Sequence, residues 1–358
     1  MGLKSKIELI KKNTQEIIVE KEISEVLKEK SKPRAYMGFE LSGFVHLGTG
    51  VVCTNKLKNF VKAGCETIVF LADWHSWINN KLGGDMEKIH IAGEYFQKAF
   101  ESMGLKGNNI RYVWASELVE KQTYWEKVVR IAKASTLSRI LRTLPIMGRK
   151  SEGELEAAFL FYPAMQVADI FDMEIDFAAG GMDQRKAHML ARDVAEKLGY
   201  RKPVSIHTPL LTGLEGLGKK MDAEEIPDLA TQIETKMSKS KPDTCIFIHD
   251  TKEEVTRKIR KAHCPAKVVQ GNPIIDMVHY IIFDMYDTFK IERPEKYGGD
   301  IEYSSYEEFE KAYKEGQIHP LDLKMSIARV INKILEPSRK FFEKHSDILE
   351  EMRKLTTL

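Results

Sequence analysis

Hydrophobic and polar positions along the first third of the chain alternate between a strand-like and a helix-like spacing. Runs of β-branched and aromatic residues predict buried strands at 34–40, 66–72 and 110–114. Between these runs, apolar residues recur every three or four positions and predict helices at 51–61 and 85–103. This β-α-β-α-β alternation predicts a parallel, doubly wound, Rossmann-like α/β sheet.

The rest of the pattern is mainly helical. Residues 3–29 predict one or two helices, and residues 124–147 predict one long amphipathic helix with a basic face. Later helices are predicted at 157–171, 182–198, 252–262, 305–315 and 320–344, and short strands at 174–178, 204–207 and 245–248. No strand signal of length follows residue 265, and residues 214–235 show no clear period, so they look like an insertion.

These patterns predict three segments. The first is an N-terminal helical segment at 1–33. The second is a Rossmann-like catalytic domain at 34–264, with a helical insertion at about 116–160. The third is a helical domain at 265–358.

Composition narrows the class of protein. The chain has 358 residues and a net charge of +2, so binding of nucleic acid would need local basic patches. Its four cysteines show neither paired spacing nor metal-ligand spacing, which predicts reduced thiols in a cytoplasmic protein without a structural metal. The charged N-terminus and the lack of an apolar run of 18 residues predict neither a signal peptide nor a membrane span.

A glycine-containing turn after the first predicted strand has the features of a phosphate site. Gly43-Phe44-Val45-His46-Leu47-Gly48 leads into a helical pattern, and free N–H groups point outward where a helix begins. Gly43 and Gly48 allow a ligand close to the backbone, and His46 adds a neutral donor. The alternative is an ordinary strand-to-helix turn.

A second stretch brings two cations and two hydroxyls into a loop of small residues. Lys236-Met237-Ser238-Lys239-Ser240 would place two point charges on a polyphosphate, which suits a nucleotidyl-transfer transition state. Lys324-Met325-Ser326 repeats part of this stretch, but it lies in a helical pattern and is interpreted as chance. Together, in this order, the two stretches resemble the paired signatures of class I aminoacyl-tRNA synthetases.

One predicted helix carries three polar residues on a single face. Tyr162, Gln166 and Asp169 follow the spacing i, i+4 and i+7 within an otherwise apolar run. A pocket for tyrosine needs an acceptor and a donor for the phenol, and Asp169 and Tyr36 suit those two roles. The alternative is that these polar groups are structural and bonded to the backbone.

Several motifs are similar to those of the archaeal–eukaryotic type of tyrosyl-tRNA synthetase. They are Ala35-Tyr36-x-Gly38-Phe39-Glu40, Tyr162-Pro163-x-Met165-Gln166-Val167-x-Asp169-Ile170, Gly180-Gly181-Met182-Asp183-Gln184-Arg185-Lys186 and His319-Pro320-Leu321-Asp322-Leu323-Lys324. The resemblance implies that the enzyme joins tyrosine to tRNA(Tyr) with ATP and Mg²⁺, as a cytoplasmic homodimer whose last domain binds the anticodon.

The same resemblance implies a set of site residues. Tyrosine would be bound by Tyr36, Tyr162, Gln166, Asp169 and Gln184. ATP would be bound by Gly43, His46, Gly48, Gly181, Asp183, Lys236, Met237, Ser238, Lys239 and Ser240. Within that set, His46, Gly48, Lys236 and Lys239 would act in catalysis. The tRNA would be contacted by Arg185 and Lys186 at the acceptor stem, and by Tyr297, His319, Pro320 and Asp322 at the anticodon. The basic face of the long helix is either a solvated surface or a platform for the acceptor stem; its residues are Arg130, Lys133, Arg139, Arg142, Arg149 and Lys150.

Three departures from the family's pattern and three rivals stay open. Leu41, Thr49 and Asp172 differ from frequent family residues, and His75 either touches substrate or packs. The rivals are a tryptophanyl-tRNA synthetase, a non-catalytic RNA-binding relative and a small-molecule nucleotidyltransferase. The phenol-binding pair Tyr36 and Asp169 argues against the first rival, and the intact lysine loop argues against the second.

Overall fold

The computed structural model describes residues 1–148, 155–217, 227–239 and 242–356. The chain divides into two compact units. The first comprises Met1–Gly43, Cys53–Thr208 and the chain from Asp347 onward, and the second comprises Phe44–Val52 and Pro209–Ser346. The glycine-containing turn is therefore counted mainly with the second unit, together with the lysine loop.

The first unit is built on a six-stranded sheet, in the order β1-β6-β5-β2-β3-β4. Its strands are β1 (Glu16–Ile18), β2 (Arg34–Phe39), β3 (Glu66–Leu71), β4 (Ile110–Trp114), β5 (Phe177–Gly181) and β6 (Val204–Thr208). The pairs from β6 to β4 are parallel, and β1 is antiparallel to β6. The doubly wound α/β fold is thus confirmed.

The helices of the first unit are α1 (Leu3–Lys11), α2 (Lys21–Glu29), α3 (Thr54–Lys62), α4 (Asp73–Ile78), α5 (Met86–Ser102), α6 (Ala115–Val119), α7 (Gln122–Lys133), α8 (Leu137–Thr143), α9 (Phe161–Asp172), α10 (Arg185–Leu198) and α17 (Ser346–Thr356). Short 3-10 turns lie at Lys81–Gly84, Leu144–Met147, Ala157–Leu160 and Met182–Gln184. A π-helix covers Gly48–Cys53, between the glycine-containing turn and α3.

Apolar burial explains why these elements form the core of the first unit. The β3 side chains from Thr67 to Leu71 are all buried, as expected for a strand covered by helices on both faces. Helix α9 buries nine of its twelve residues, including Tyr162 and Asp169. The buried polar groups of α9 therefore lie inside the core and not on a solvated face.

The second unit is mainly helical. It contains α11 (Leu229–Thr235), α12 (Lys252–Lys261), α13 (Pro273–Met277), α14 (Phe283–Met285), α15 (Tyr306–Glu315) and α16 (Pro320–Lys344). A π-turn covers Val278–Ile282, and 3-10 turns cover Pro242–Thr244 and Glu295–Tyr297. Two short strands, β7 (Phe289–Ile291) and β8 (Ile301–Tyr303), pair antiparallel.

Some predicted elements were wrong in extent. The single helix expected at 124–147 is α7, α8 and a 3-10 turn, because Thr136 caps a new helix by accepting from Arg139 N. The strand expected at 174–178 is shifted to β5. The strand expected at 245–248 forms only an isolated bridge between Phe247 and His46.

Other elements were not predicted. The sequence pattern missed β1, β7 and β8, each of which is only three residues long. Part of the predicted insertion at 214–235 is helix α11, and residues 218–226 lie outside the described residues. In the part of the chain that the structure describes, no helix is long and apolar enough to cross a bilayer.

Candidate active site

A buried carboxylate on α9 is the centre of a polar cluster in the first unit. Asp169 is 1% exposed. Its Oδ1 accepts a hydrogen bond from the Tyr124 hydroxyl at 2.7 Å. Its Oδ2 lies 3.1 Å from Nε2 of the buried His75, as an ion pair that is not well aligned as a hydrogen bond. The cluster thus keeps a charged acceptor in the core, with partners on two sides.

The phenols around Asp169 are held neutral by their surroundings. Burial raises the pKa of Tyr36 well above its usual range, and the Asp169 carboxylate raises it further. Burial and then Asp169 raise the pKa of Tyr124 in the same direction. Burial alone would lower the pKa of His75, but the adjacent Asp169 reverses this and leaves it raised. At neutral pH the cluster therefore combines O–H donors with a carboxylate acceptor.

The other two polar residues of this α9 face, Tyr162 and Gln166, belong to a second group of hydrogen-bond donors and acceptors. The Gln166 Nε2 donates to Gln184 Oε1 at 3.1 Å, and Gln184 Nε2 donates to the Ile146 carbonyl at 3.2 Å. The Tyr162 hydroxyl donates to Glu40 Oε1 at 2.8 Å. The Gln166 Oε1 is buried and has no hydrogen-bond partner among the described residues. The structure therefore leaves an acceptor available beside the Asp169 cluster.

The end of β5 carries the predicted nucleotide and acceptor-stem residues of the first unit. Gly181 is the last residue of β5, and Asp183 follows in the 3-10 turn. Arg185 begins α10, and its Nε contacts both carboxylate oxygens of Glu16 at 3.0 and 2.8 Å. Lys186 is exposed beside it. These residues lie at the carboxyl end of a parallel strand, where open α/β sheets place ligands.

The glycine-containing turn at 43–48, here named the signature turn, lies in the second unit except for its first residue. That residue, Gly43, ends a segment of the first unit and has φ 70°. Its backbone pairs with a neighbouring segment: Leu47 N donates to the Ile246 carbonyl at 3.0 Å, and Ile248 N donates to the Val45 carbonyl at 3.1 Å. A Cβ at Gly50 would come within 2.3 Å of Ile248 Cγ2. The turn is therefore packed tightly, and a side chain at Gly50 would displace it.

His46 is a neutral donor in this arrangement. Burial, followed by the charges of Lys239 and Lys236, lowers the pKa of His46 to about 3. Its Nδ1 accepts from Gly48 N at 3.1 Å, so the ring proton is on Nε2. A Cβ at Gly48 would lie 3.0 Å from the His46 ring, so glycine leaves room for this contact.

The lysine loop begins with a short antiparallel pairing in the second unit. Lys236 pairs with Thr212, and Met237 is buried and donates through its N–H to the Leu211 carbonyl at 2.6 Å. Ser238 and Lys239 follow and are partly buried. Ser240 lies outside the described residues. Both lysines act electrostatically on His46, which belongs to the same unit, and lower its pKa.

The predicted anticodon residues are separated along the second unit. Tyr297 ends a 3-10 turn and is 61% exposed, with Lys296 Nζ 4.9 Å from its ring centroid. His319 caps α16 through Nδ1, which accepts from Leu321 N at 3.2 Å, and Pro320 is the first helical residue. Asp322 lies in the first turn of α16. An exposed ring and a polar helix start are thus available in this unit.

Comparison with known proteins identifies the family. The family model for class I tRNA synthetases (W and Y) matches residues 28–223 and 226–336. A tyrosine–tRNA ligase from Sulfurisphaera tokodaii is 48% identical over 362 residues, which cover 100% of this chain and 98% of the relative. The chain belongs to the tyrosine–tRNA ligase family of class I synthetases.

Two further relatives agree with this membership. A tyrosine–tRNA ligase from Saccharolobus solfataricus is 48% identical, and the alignment covers 99% of this chain and 97% of the relative. The crystal structure of tyrosyl-tRNA synthetase from Pyrococcus horikoshii, complexed with L-tyrosine, has a TM-score of 0.91 and 44% identity. It covers 99% of this chain and 100% of its own. The family resemblance inferred from the motifs is thus confirmed.

Within this synthetase fold, the departures from the family's motifs have local partners. Asp172 pairs with Lys127 and lies 3.6 Å from Lys121, so it joins α9 to the α7 region. Leu41 is fully buried, and Thr49 lies in the π-helix. Asp172 is therefore a packing partner of α7, which the sequence did not predict.

One basic side chain of the face predicted at 124–147 forms an ion pair, and others are exposed to solvent. Arg139 pairs with Asp193 at 2.7 Å, whereas the side chains of Arg130, Lys133 and Arg142 are exposed. Arg149 and Lys150 lie outside the described residues.

Two residues of the Asp169 cluster were not assigned from the sequence. The sequence predicts Tyr124 only as the start of an amphipathic helix, and for His75 it predicts either contact with substrate or packing. Both are polar residues among neighbours that are mostly buried, and this contrast is the one sequence signal that could have indicated a role in the site. Their contact with Asp169 spans 45 residues for Tyr124, a pairing that periodicity does not reveal.

Proposed function

We propose that the protein activates L-tyrosine with ATP and transfers the tyrosyl group to the terminal adenosine of tRNA(Tyr). The observation that carries the choice of amino acid is the buried Asp169 carboxylate among neutral phenols. Asp169 accepts a hydrogen bond from the substrate phenol, and the Tyr36 hydroxyl donates one to the phenol oxygen. An analogue without the hydroxyl, phenylalanine, would lose the hydrogen bonds to both groups, and this loss gives selectivity.

The substrate's α-ammonium is bound at the other polar group of the α9 face. The buried Gln166 Oε1 without a partner would cost about 1–3 kcal/mol, and an ammonium donor would remove that penalty. Gln184 orients Gln166 through their hydrogen bond. Tyr162, which donates to Glu40, presents its hydroxyl oxygen as a further acceptor.

Adenylate formation is an in-line displacement. The tyrosine carboxylate oxygen forms a bond to the α-phosphorus of ATP, and the bond to the bridging oxygen breaks, so pyrophosphate leaves with the electron pair. His46 Nε2–H, the amide groups at Gly48 and the two loop lysines stabilise the charge on the phosphates. We also assign Gly43, Met237, Ser238 and Ser240 to ATP binding, and Gly181 and Asp183 to the nucleoside of ATP.

Magnesium would enter with ATP and neutralise phosphate charge. Among the described residues, no group of three or more metal-ligating side chains comes together. The oxygen ligands of the ion would come from the phosphates and water.

In the second step, the terminal adenosine's 2′-hydroxyl attacks the tyrosyl carbonyl, loses its proton, and AMP leaves. Arg185 and Lys186 bind the acceptor stem, and Tyr297, His319, Pro320 and Asp322 bind the anticodon. The three segments 1–33, 34–264 and 265–358 would correspond to an N-terminal helical part, the catalytic domain and the anticodon-binding domain. The free cysteines favour a cytoplasmic location.

We also infer a homodimer. Large apolar side chains are exposed on three successive helices: Val129 on α7 is 55% exposed, Leu137 on α8 62% and Phe161 on α9 51%. Exposed apolar patches are typical of subunit interfaces, and we infer that these side chains contribute to one. Sedimentation velocity of the wild type and Leu137→Glu tests this: the wild type should sediment as a dimer and the variant as a monomer. A monomeric wild type would contradict the inference.

Charging of tRNA tests the full proposal. Labelled tyrosine should become acid-precipitable with a tRNA(Tyr) transcript and ATP, and should not with a tRNA(Trp) transcript. Stable charging of tRNA(Trp) with tryptophan would contradict the proposed substrate. The matched variant Lys239→Ala should keep tRNA binding while losing charging.

A further inference from the structure

The lysine loop is fastened at both ends to one short segment, residues 211–214, here named the anchor segment. At the start of the loop, Gly213 N donates to the Thr235 carbonyl at 2.8 Å, and Met237 N donates to the Leu211 carbonyl at 2.6 Å. Beyond the loop, Leu214 N donates to the Thr244 carbonyl at 2.9 Å. The two ends of the loop, at Met237 and at Thr244, are therefore held by the anchor segment.

Gly213 shows how closely the loop ends approach this segment. A Cβ on Gly213 would lie 3.3 Å from the Thr235 carbonyl oxygen and 3.8 Å from the Thr244 carbonyl oxygen. Both neighbours are backbone atoms of the loop ends, and the nearer one would have to move by a few tenths of an ångström to admit a methyl group. A side chain at this position would push the loop ends away.

One side chain binds the middle of the anchor segment. Asp276, on α13, accepts from Thr212 N at 2.9 Å through Oδ2, and the Thr212 side chain also lowers the pKa of its carboxyl. Thr212 is the residue whose backbone pairs with Lys236. Thr212 therefore links the Asp276 carboxylate to Lys236, the first lysine of the loop.

The local structure fixes Asp276 firmly. Helix α13 is capped by Asn272, whose Oδ1 accepts from Ile274 N, and Pro273 is its first residue. Ile274 and Ile275 are buried. Burial raises the pKa of Asp276 to about 6, so the carboxylate is kept in an unfavourable environment that its bonds to Thr212 offset.

We propose that Asp276 is a positioning residue for adenylate formation: through Thr212 it sets where Lys236 and Lys239 meet the departing pyrophosphate. Asp276 touches neither substrate, and it acts through the anchor segment. The inference rests on the proposed tyrosine activation. Because the lysines act mainly in the transition state, loss of this position lowers kcat more than it changes substrate binding.

The test is ATP–pyrophosphate exchange with tyrosine, using the full chain and the variants Asp276→Ala, Asp276→Asn and Asp284→Asn. Asp276→Ala should lower kcat by about 10- to 100-fold, the loss expected for a displacement near 1 Å. Equilibrium binding of tyrosine should stay within about twofold of the wild type, because its pocket is unaffected. Asp276→Asn should recover most of kcat, since its amide oxygen still accepts from Thr212 N.

Asp284→Asn is the matched control, because it removes the charge of another mostly buried aspartate of the second unit. Its kcat should equal that of the wild type. Gly213→Ala provides a second route if Asp276→Ala fails to fold: it should also lower kcat, and leave tyrosine binding unchanged.

Three results would overturn the inference. They are a wild-type kcat in Asp276→Ala, a parallel loss of tyrosine affinity and kcat, or equal damage in Asp276→Asn and Asp276→Ala. If Asp276→Ala is unfolded, a wild-type kcat in Gly213→Ala would overturn it. A wild type without tyrosine-dependent exchange would overturn the proposed function as well, so the two failures are distinguishable.

Discussion

Replacing Asp169 by asparagine should reduce selectivity for tyrosine while preserving the fold. The substitution conserves volume but removes the charge that accepts from Tyr124 and faces His75. A hydrogen bond to a charged group contributes about 1.5–3 kcal/mol, and one between neutral groups about 0.5–1.5 kcal/mol. The substrate phenol should therefore lose about 1–2 kcal/mol, or roughly 5- to 30-fold in kcat/KM at 1.36 kcal/mol per tenfold.

Phenylalanine is the internal reference for this prediction. It has no hydroxyl to bond with Asp169, so its kcat/KM in pyrophosphate exchange should not fall, and the tyrosine-to-phenylalanine ratio should fall by the same roughly 5- to 30-fold. The matched control is Asp172→Asn, three residues further along α9, whose carboxylate instead contacts Lys127. An unchanged ratio in Asp169→Asn, with circular dichroism like the wild type, would refute the pocket assignment.

Three further predictions follow from the electrostatics and packing of the candidate site. The pKa of His46 is lowered to about 3, so its ring ¹⁵N shifts should be flat between about pH 5 and 8; a midpoint within that range would contradict a neutral donor. Asp169 raises the pKa of His75, so the ion pair stabilises the fold fully below about pH 6.5 and less as pH rises through the folded pKa. Urea unfolding should therefore show a larger difference between wild type and His75→Gln at low than at high pH, and an equal difference would contradict it. Gly48→Ala would place a methyl group 3.0 Å from the His46 ring; kcat of pyrophosphate exchange should fall about tenfold with an unchanged KM for tyrosine, and a wild-type kcat would show that this approach is unimportant.

Periodicity predicted the sheet well where burial is continuous. Strands β2, β3 and β4 and helix α5 match the predicted segments closely. In β3, cover on both faces produces an unbroken apolar run, whereas the edge strand β4 is marked by its β-branched and aromatic residues. β1 was missed, since it has three partly buried residues at the edge of the sheet. The break between α7 and α8 was missed too, because a single threonine cap at Thr136 is a weak signal inside a strong helical pattern.

The sequence predicted those parts of the candidate site that lie on a single helix or loop. Tyr162, Gln166 and Asp169 lie on one helix, so their spacing alone placed them on a common face. The contacts of Tyr124 and Asp276 join elements that are distant in sequence, and no local pattern reveals such pairs.

The most direct measurement is ATP–pyrophosphate exchange with tyrosine, tryptophan or phenylalanine, in the absence of tRNA. We expect kcat/KM for exchange to be far higher with tyrosine than with either of the other two, since only the phenol bonds to both Tyr36 and Asp169. Exchange with tryptophan in preference to tyrosine would contradict the reading of the Asp169 cluster while leaving the synthetase fold intact. No exchange with any of the three amino acids would contradict the proposed activity itself.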